Sequence, residues 1–162
     1  MTTVPRRYVS VIGQSLADPR LDALGEELGE RLAEAGVVVV CGGMGGVMSA
    51  VARGVARGDG VCLGILPGLD RTEADPCLTY SVCTGLGHAR NLAVAASGDA
   101  VIALGGQWGT LSEIGLARCS GRVVVLLESW SVAPRDGELA GVVTVATPAE
   151  AVAAALAAVD ER

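Results

Sequence analysis

Glu113 closes the stretch "GGQWGTLSE" (105–113), and Arg90 sits in a second glycine-rich stretch, "TGLGHARN" (84–91). A third, "CGGMGGVMS", covers 41–49. A carboxylate can stabilise developing positive charge or take a proton from water, and Glu113 is the acidic residue in these turns suited to such a task. Arg90 falls in the first turn of its helix, where the helix dipole disfavours a cation by about 0.3–1 kcal/mol. An anion nearby would offset that cost. Arg90 could then hold the anion of a phosphorylated ligand.

Each signal also has a purely structural explanation. Thr110-x-x-Glu113 fits a capping box, with Thr110 as N-cap of a helix over about 111–119 and Glu113 reaching back to it. Arg90 fits a solvated surface position or an ion pair with Glu113. Trp108 could stack on a base or pack as a lid on the neighbouring loop, and His88 reads as a hydrogen-bonding group. "GGMGG" is not G-x-G-x-x-G, and the following strand lacks the acidic end that a dinucleotide ribose would want. Gly42, Gly43, Gly45 and Gly46 could therefore be no more than a tight turn. Trp130, beyond the sixth strand, receives no role.

These turns need a frame to hold them together. Apolar runs at 8–13, 37–41, 61–66, 79–83, 99–104, 122–127 and 142–145 read as seven strands. Between them, Leu21, Leu24, Leu28 and Leu32 recur at helical spacing, as do Val47, Val51 and Val55. Arg53 and Arg57 stack four apart on the outer side of the second helix. Further helices are predicted over 88–97, 111–119 and 148–159, and 67–78 forms one long polar connection. Strands apolar on successive residues are buried on both faces, which with intervening helices means a mostly parallel sheet covered on two sides. The expectation is an α/β, doubly wound Rossmann-like fold of six to seven strands, forming one domain over residues 1–162. In such sheets ligands lie beyond the carboxyl ends of the strands, where all three glycine turns fall. Free N–H groups at helix starts suit an anion.

Composition removes other functions. All basic residues are Arg, so the Lys of a Walker A loop and of a pyridoxal phosphate Schiff base is missing. A net charge of −6 with two Trp, two Tyr and no Phe predicts no nucleic-acid partner. No apolar run is long enough to span a bilayer, and the start, "MTTVPRRYVSVIG", reads as no signal peptide. A cytoplasmic location is expected. The five cysteines read as reduced thiols serving as small hydrophobes, and no His/Cys cluster predicts a metal. The Ala-rich helices could pack on a second subunit or be ordinary cover. A homo-oligomer is the expectation.

From "VIGQS" to about Leu127 the chain resembles the LOG-like proteins, formerly called lysine decarboxylase-like. Within them it is similar to a short Rossmann-like nucleotide-binding branch close to the molybdenum cofactor carriers. The LOG signatures are M-H-x-R-K and P-G-G-x-G-T-x-x-E. "GHARN" keeps His88 and Arg90, while Gly87 and Asn91 replace Met and Lys. Residues 105–113 keep Gly106, Gly109, Thr110 and Glu113, with Gly105 and Gln107 replacing Pro and Gly. The resemblance implies hydrolysis of a nucleoside 5′-monophosphate to free base and ribose 5-phosphate, without a cofactor or a metal. Arg90 and Glu113 would be catalytic, and the amides of Gly106 to Leu111 with the Thr110 hydroxyl would hold the phosphate. Gly13, Ser15, Gly42, Gly43, Gly45, Gly46, His88, Gly105, Gln107 and Trp108 complete the implied ligand site. The departures at Gly105, Gln107 and Asn91 motivate the alternative, a binding protein that holds a nucleotide or a phosphorylated pterin such as molybdenum cofactor without turnover.

Overall fold

Valine and isoleucine on consecutive positions suit the pleat and fill both sides of a buried strand. A computed structural model describes residues 7–136 and 139–161. Its strands are β1 (Tyr8–Gly13), β2 (Val38–Cys41), β3 (Val61–Leu66), β4 (Tyr80–Cys83), β5 (Ala100–Leu104), β6 (Val123–Leu127) and β7 (Val142–Val145). All pair in parallel, in the order β4-β3-β2-β1-β5-β6-β7. The helices are α1 (Pro19–Glu34), α2 (Val47–Arg57), α3 (Asn91–Ser97), α4 (Trp108–Cys119) and α5 (Pro148–Asp160). The α/β Rossmann-like fold read from the sequence is the fold observed. Residues 1–6, part of the segment judged to hold no leader, lie outside the described residues. Among the described residues no helix is long and apolar enough to cross a membrane.

Alternation along the strands builds two cores. Val9, Val11, Val39 and Cys41 meet the leucines of α1, the valines of α2 and the alanines of α5 on one side. Ile12, Val40 and Val101 meet Val94 and Ala95 of α3 and Ile114 and Ala117 of α4 on the other. Ser10 is the polar exception. It is fully buried, and its hydroxyl donates to the carbonyl of Val94 at 2.6 Å. All five cysteines are free thiols, and Cys41 and Cys62 touch at 3.9 Å between Sγ atoms.

Two short 3-10 turns are absent from the sequence reading. The predicted helix over 88–97 divides into a 3-10 turn (Gly87–Arg90) followed by α3. The predicted loop 67–78 carries a 3-10 turn of its own at Arg71–Glu73, begun by Asp70, whose carboxylate accepts from the Thr72 amide. Asp75 ties this loop to α2 through the Ser49 hydroxyl, and its own amide donates to the Gly43 carbonyl at 3.0 Å.

α1 and α2 approach closely because glycines face each other. A Cβ on Gly54 would stand 2.0 Å from the Glu26 carbonyl oxygen, and one on Gly29 would stand 2.3 Å from that of Val51. Outside this contact Glu26 accepts from Arg53 at 2.9 Å and from Arg57 at 2.8 Å, and Arg57 also pairs with Glu30 at 2.6 Å. These pairs are partly exposed, so solvent screens them and they contribute little to stability. The backbone contact matters more. In an open helix Gly→Ala stabilises by about 0.5–1 kcal/mol. Gly54→Ala is expected to do the opposite and lower stability by about 1–3 kcal/mol, because overpacking outweighs propensity. Urea unfolding would give the sign.

Candidate functional site

From β1 the chain winds outward through β2 and β3 to β4; from β5 it winds the other way, to β6 and β7. The reversal lies between β1 and β5, whose last residues, Gly13 and Leu104, pair side by side. Ligands of open α/β sheets bind at such a reversal, beyond the strands' carboxyl ends. A cleft of about 150 Å³ opens at that place.

The structure gathers nine of the sequence-predicted residues around this cleft: Gly13, Ser15, Gly42, His88, Arg90, Gln107, Gly109, Thr110 and Glu113. Gly45 borders an adjoining pocket of about 480 Å³, walled by Met44, Met48 and Pro67 and shared with His88 and Arg90. Gly105, Gly106 and Trp108 lie on the outer side of the third turn. Gly43 and Gly46 do not line the cleft. Gly43 lies against Gly64 and Leu78, and Gly46 against the Gln14 and Ser15 backbone, so both serve packing.

The capping-box reading of Thr110 and Glu113 is corrected. α4 begins at Trp108, with Gln107 in the cap position and no side chain capping the helix. The positive φ of Gly105 (61°) and Gly106 (134°) turns the chain sharply enough to start the helix earlier. Thr110 is then inside the first turn and Glu113 inside the second, where a side chain cannot reach back to the cap. Thr-x-x-Glu spacing recurs one turn into any helix, so the pattern alone could not place the start. The Leu111 amide is also taken, donating to the Gln107 carbonyl at 3.0 Å. The amides that α4 leaves without intrahelical partners are those of Trp108, Gly109 and Thr110.

Freed from capping, Glu113 is buried at 7% exposure, beside Thr110 at 2% and Arg90 at 8%. Burial pushes the Glu113 carboxyl up to about 7, although the Arg90 charge pulls the other way. Burial likewise holds the Arg90 guanidinium below its ordinary range, opposed by Glu113 and by Cys41. Among the described residues no ion pair forms between them. Arg90 Nε is buried with no hydrogen-bond partner. Such an orphan donor costs about 1–3 kcal/mol, more when charged. The guanidinium packs against Gly42, where an added Cβ would come within 2.6 Å of Nη1 and 2.8 Å of Nη2. A side chain there would displace the ends of Arg90 and Met48.

Cation, carboxyl and the free amides of Gly109 and Thr110 thus meet at one opening. The amides and Arg90 suit an anionic ester, and Glu113 suits proton transfer near neutral pH. Sequence reasoning missed Ile12, Gln14, Met48 and Asn91 as lining residues. Gln14 lies between two residues it did select, and Asn91 was noted only as a departure. It also left Trp130 without a role. The indole N–H of Trp130 donates to the Gln107 carbonyl at 3.2 Å, and its ring lies 5.2 Å from that of Trp108. Nothing in the local sequence signals a contact made across the end of the sheet.

Comparison with known proteins bears on the same region. Residues 6–152 match the SLOG cluster4 family. A protein of Archaeoglobus fulgidus is 37% identical over 123 residues, spanning 74% of this chain and 79% of that protein. A protein of Oryza sativa subsp. japonica, named "Probable cytokinin riboside 5′-monophosphate phosphoribohydrolase", is 37% identical over 91 residues. That match spans 54% of this chain and only 37% of the rice protein. Among solved structures, the molybdenum cofactor carrier protein of Chlamydomonas reinhardtii superposes with a TM-score of 0.86 at 28% identity, covering 96% of this chain and 99% of its own.

Proposed function

Because the chain belongs to the SLOG cluster4 family, we propose that its cleft binds a phosphorylated small molecule and hydrolyses the N-glycosidic bond of a nucleoside 5′-monophosphate. One observation carries this reading: Arg90 and Glu113 are both buried at the cleft floor without closing an ion pair. A pair kept for stability alone would close. The rice relative's name supports the reaction class.

The phosphate sits on the amides of Gly109 and Thr110 and faces Arg90, whose orphan Nε then gains an acceptor. The ribose lies over Glu113. Water adds to the anomeric carbon and gives a proton to the Glu113 carboxylate. The C–N bond breaks, its electron pair leaves on the base, and the base takes up a proton. The products are free base and ribose 5-phosphate. Incubation with a panel of nucleoside monophosphates, with freed base and ribose 5-phosphate measured, tests this; no release from any of them sinks it.

As the base, Glu113 works ionised, and in the free protein its proton leaves at about 7. The expected kcat/KM therefore climbs about tenfold per pH unit below 7 and levels above it. A profile that is flat from pH 5.5 to pH 8 removes Glu113 from the role.

The carrier protein's likeness over nearly the whole chain supports a second reading: the same cleft holds a phosphorylated pterin without turnover. Copurification of a pterin, with no base release from any nucleotide, would favour it.

A further inference from the structure

The chain has four aromatic residues, and two of them stand together at the rim of the cleft. Trp108 is the first residue of α4 and is 76% exposed. Trp130 follows β6 and is fixed by its hydrogen bond to the Gln107 carbonyl. The rings are tilted by 41°. Between them and the glycine turn lies a pocket of about 570 Å³, bounded by Gly106, Gln107 and Gly109 besides the two indoles. A lid packed for stability would bury Trp108, but this indole leaves most of its surface to solvent.

The position of this pocket gives it meaning. It shares Gln107 and Gly109 with the anion cleft. The methionine-walled pocket shares Ser15, Met48, His88, Arg90 and Asn91 with the same cleft. The two pockets have no lining residue in common. The anion seat therefore joins two separate ring-sized spaces. A nucleoside monophosphate carries one base, so it can fill only one of them together with the seat.

We infer that the tryptophan pocket takes a second planar ring, carried on the far side of the bound phosphate, so that the ligand class is a nucleotide whose phosphate is itself linked to another ring-bearing group. This rests on the phosphate seat proposed above. Trp108 is the stacking platform, and Trp130 holds the third turn and closes the back of the pocket. Neither side chain touches the bond that hydrolysis breaks.

Trp108 and Trp130 are the only tryptophans of the chain, so indole fluorescence reports on this pocket alone. The probes are adenosine monophosphate and diadenosine pyrophosphate, titrated into the wild type and into Trp108→Ala, with heat of binding as a second readout. Diadenosine pyrophosphate is expected to quench the indoles and to bind about tenfold more tightly than the monophosphate, as one base–aromatic stack provides. Trp108→Ala, a change at an exposed position, should remove that advantage, bringing the affinity ratio of the two ligands to about one. Monophosphate binding with no gain for the pyrophosphate, or an equal loss of both ligands in Trp108→Ala, overturns the second ring site while the phosphate seat stands. If neither probe binds, the seat itself fails and the inference falls with it.

Discussion

Glu113→Gln is expected to abolish base release while leaving the protein folded, lowering kcat/KM by about 10²–10⁴. Gln has nearly the volume of Glu, so the buried site keeps its packing. α4 does not depend on this carboxylate, since its start is set by the Gly105–Gly106 turn and no side chain caps it. What disappears is the buried carboxylate of the cleft, the group proposed to take the proton from water. Phosphate affinity should survive, because the amides and Arg90 remain. Measured base release above a tenth of the wild-type rate, from a variant with normal unfolding, would leave Glu113 as packing only. Arg90→Ala separates the roles differently: it should weaken binding of the monophosphate, and an unchanged affinity contradicts its place at the anion.

The second large effect is on stability. Folded Glu113 keeps its proton up to about pH 7, whereas an ordinary glutamate releases it near 4.5. Between these values the folded state binds more protons than the unfolded state. Stability therefore falls as pH rises through this window and is level above it. The contribution of this group is about 3 kcal/mol, fully present below 4.5 and gone above 7. Other groups titrate over the same range, but they do so in Glu113→Gln as well. The difference in unfolding free energy between wild type and variant, followed by urea denaturation from pH 4.5 to pH 8, isolates the effect. Parallel curves would mean that Glu113 is ionised throughout.

The frame was legible because the strands carry two-sided apolar runs that few other structures use. β1, β3 and β7 occur at the positions read from the sequence, and β2, β4, β5 and β6 begin one residue later. Those first residues (Val37, Thr79, Asp99 and Arg122) make the joint to the preceding helix or loop, where apolar character does not mark the boundary. The site was legible as three glycine turns on one end of the sheet. Its wiring was not. Thr110 and Glu113 fit a cap by spacing, and only the three-dimensional turn at Gly105–Gly106 shows that the helix has already begun. The neighbour of Trp108 lies 22 residues away, and that contact depends on how β6 exits the sheet.

α2 connects the site to the rear of the molecule. Its front end follows the turn in which Gly42 supports the Arg90 guanidinium; its far half is seated on α1 where Gly54 meets Glu26. A rod held this closely at one end behaves as a lever. A methyl group inserted at Gly54 would pivot it, and the displacement would emerge at the arginine as weakened grip on the ligand, in a protein whose binding residues are all intact.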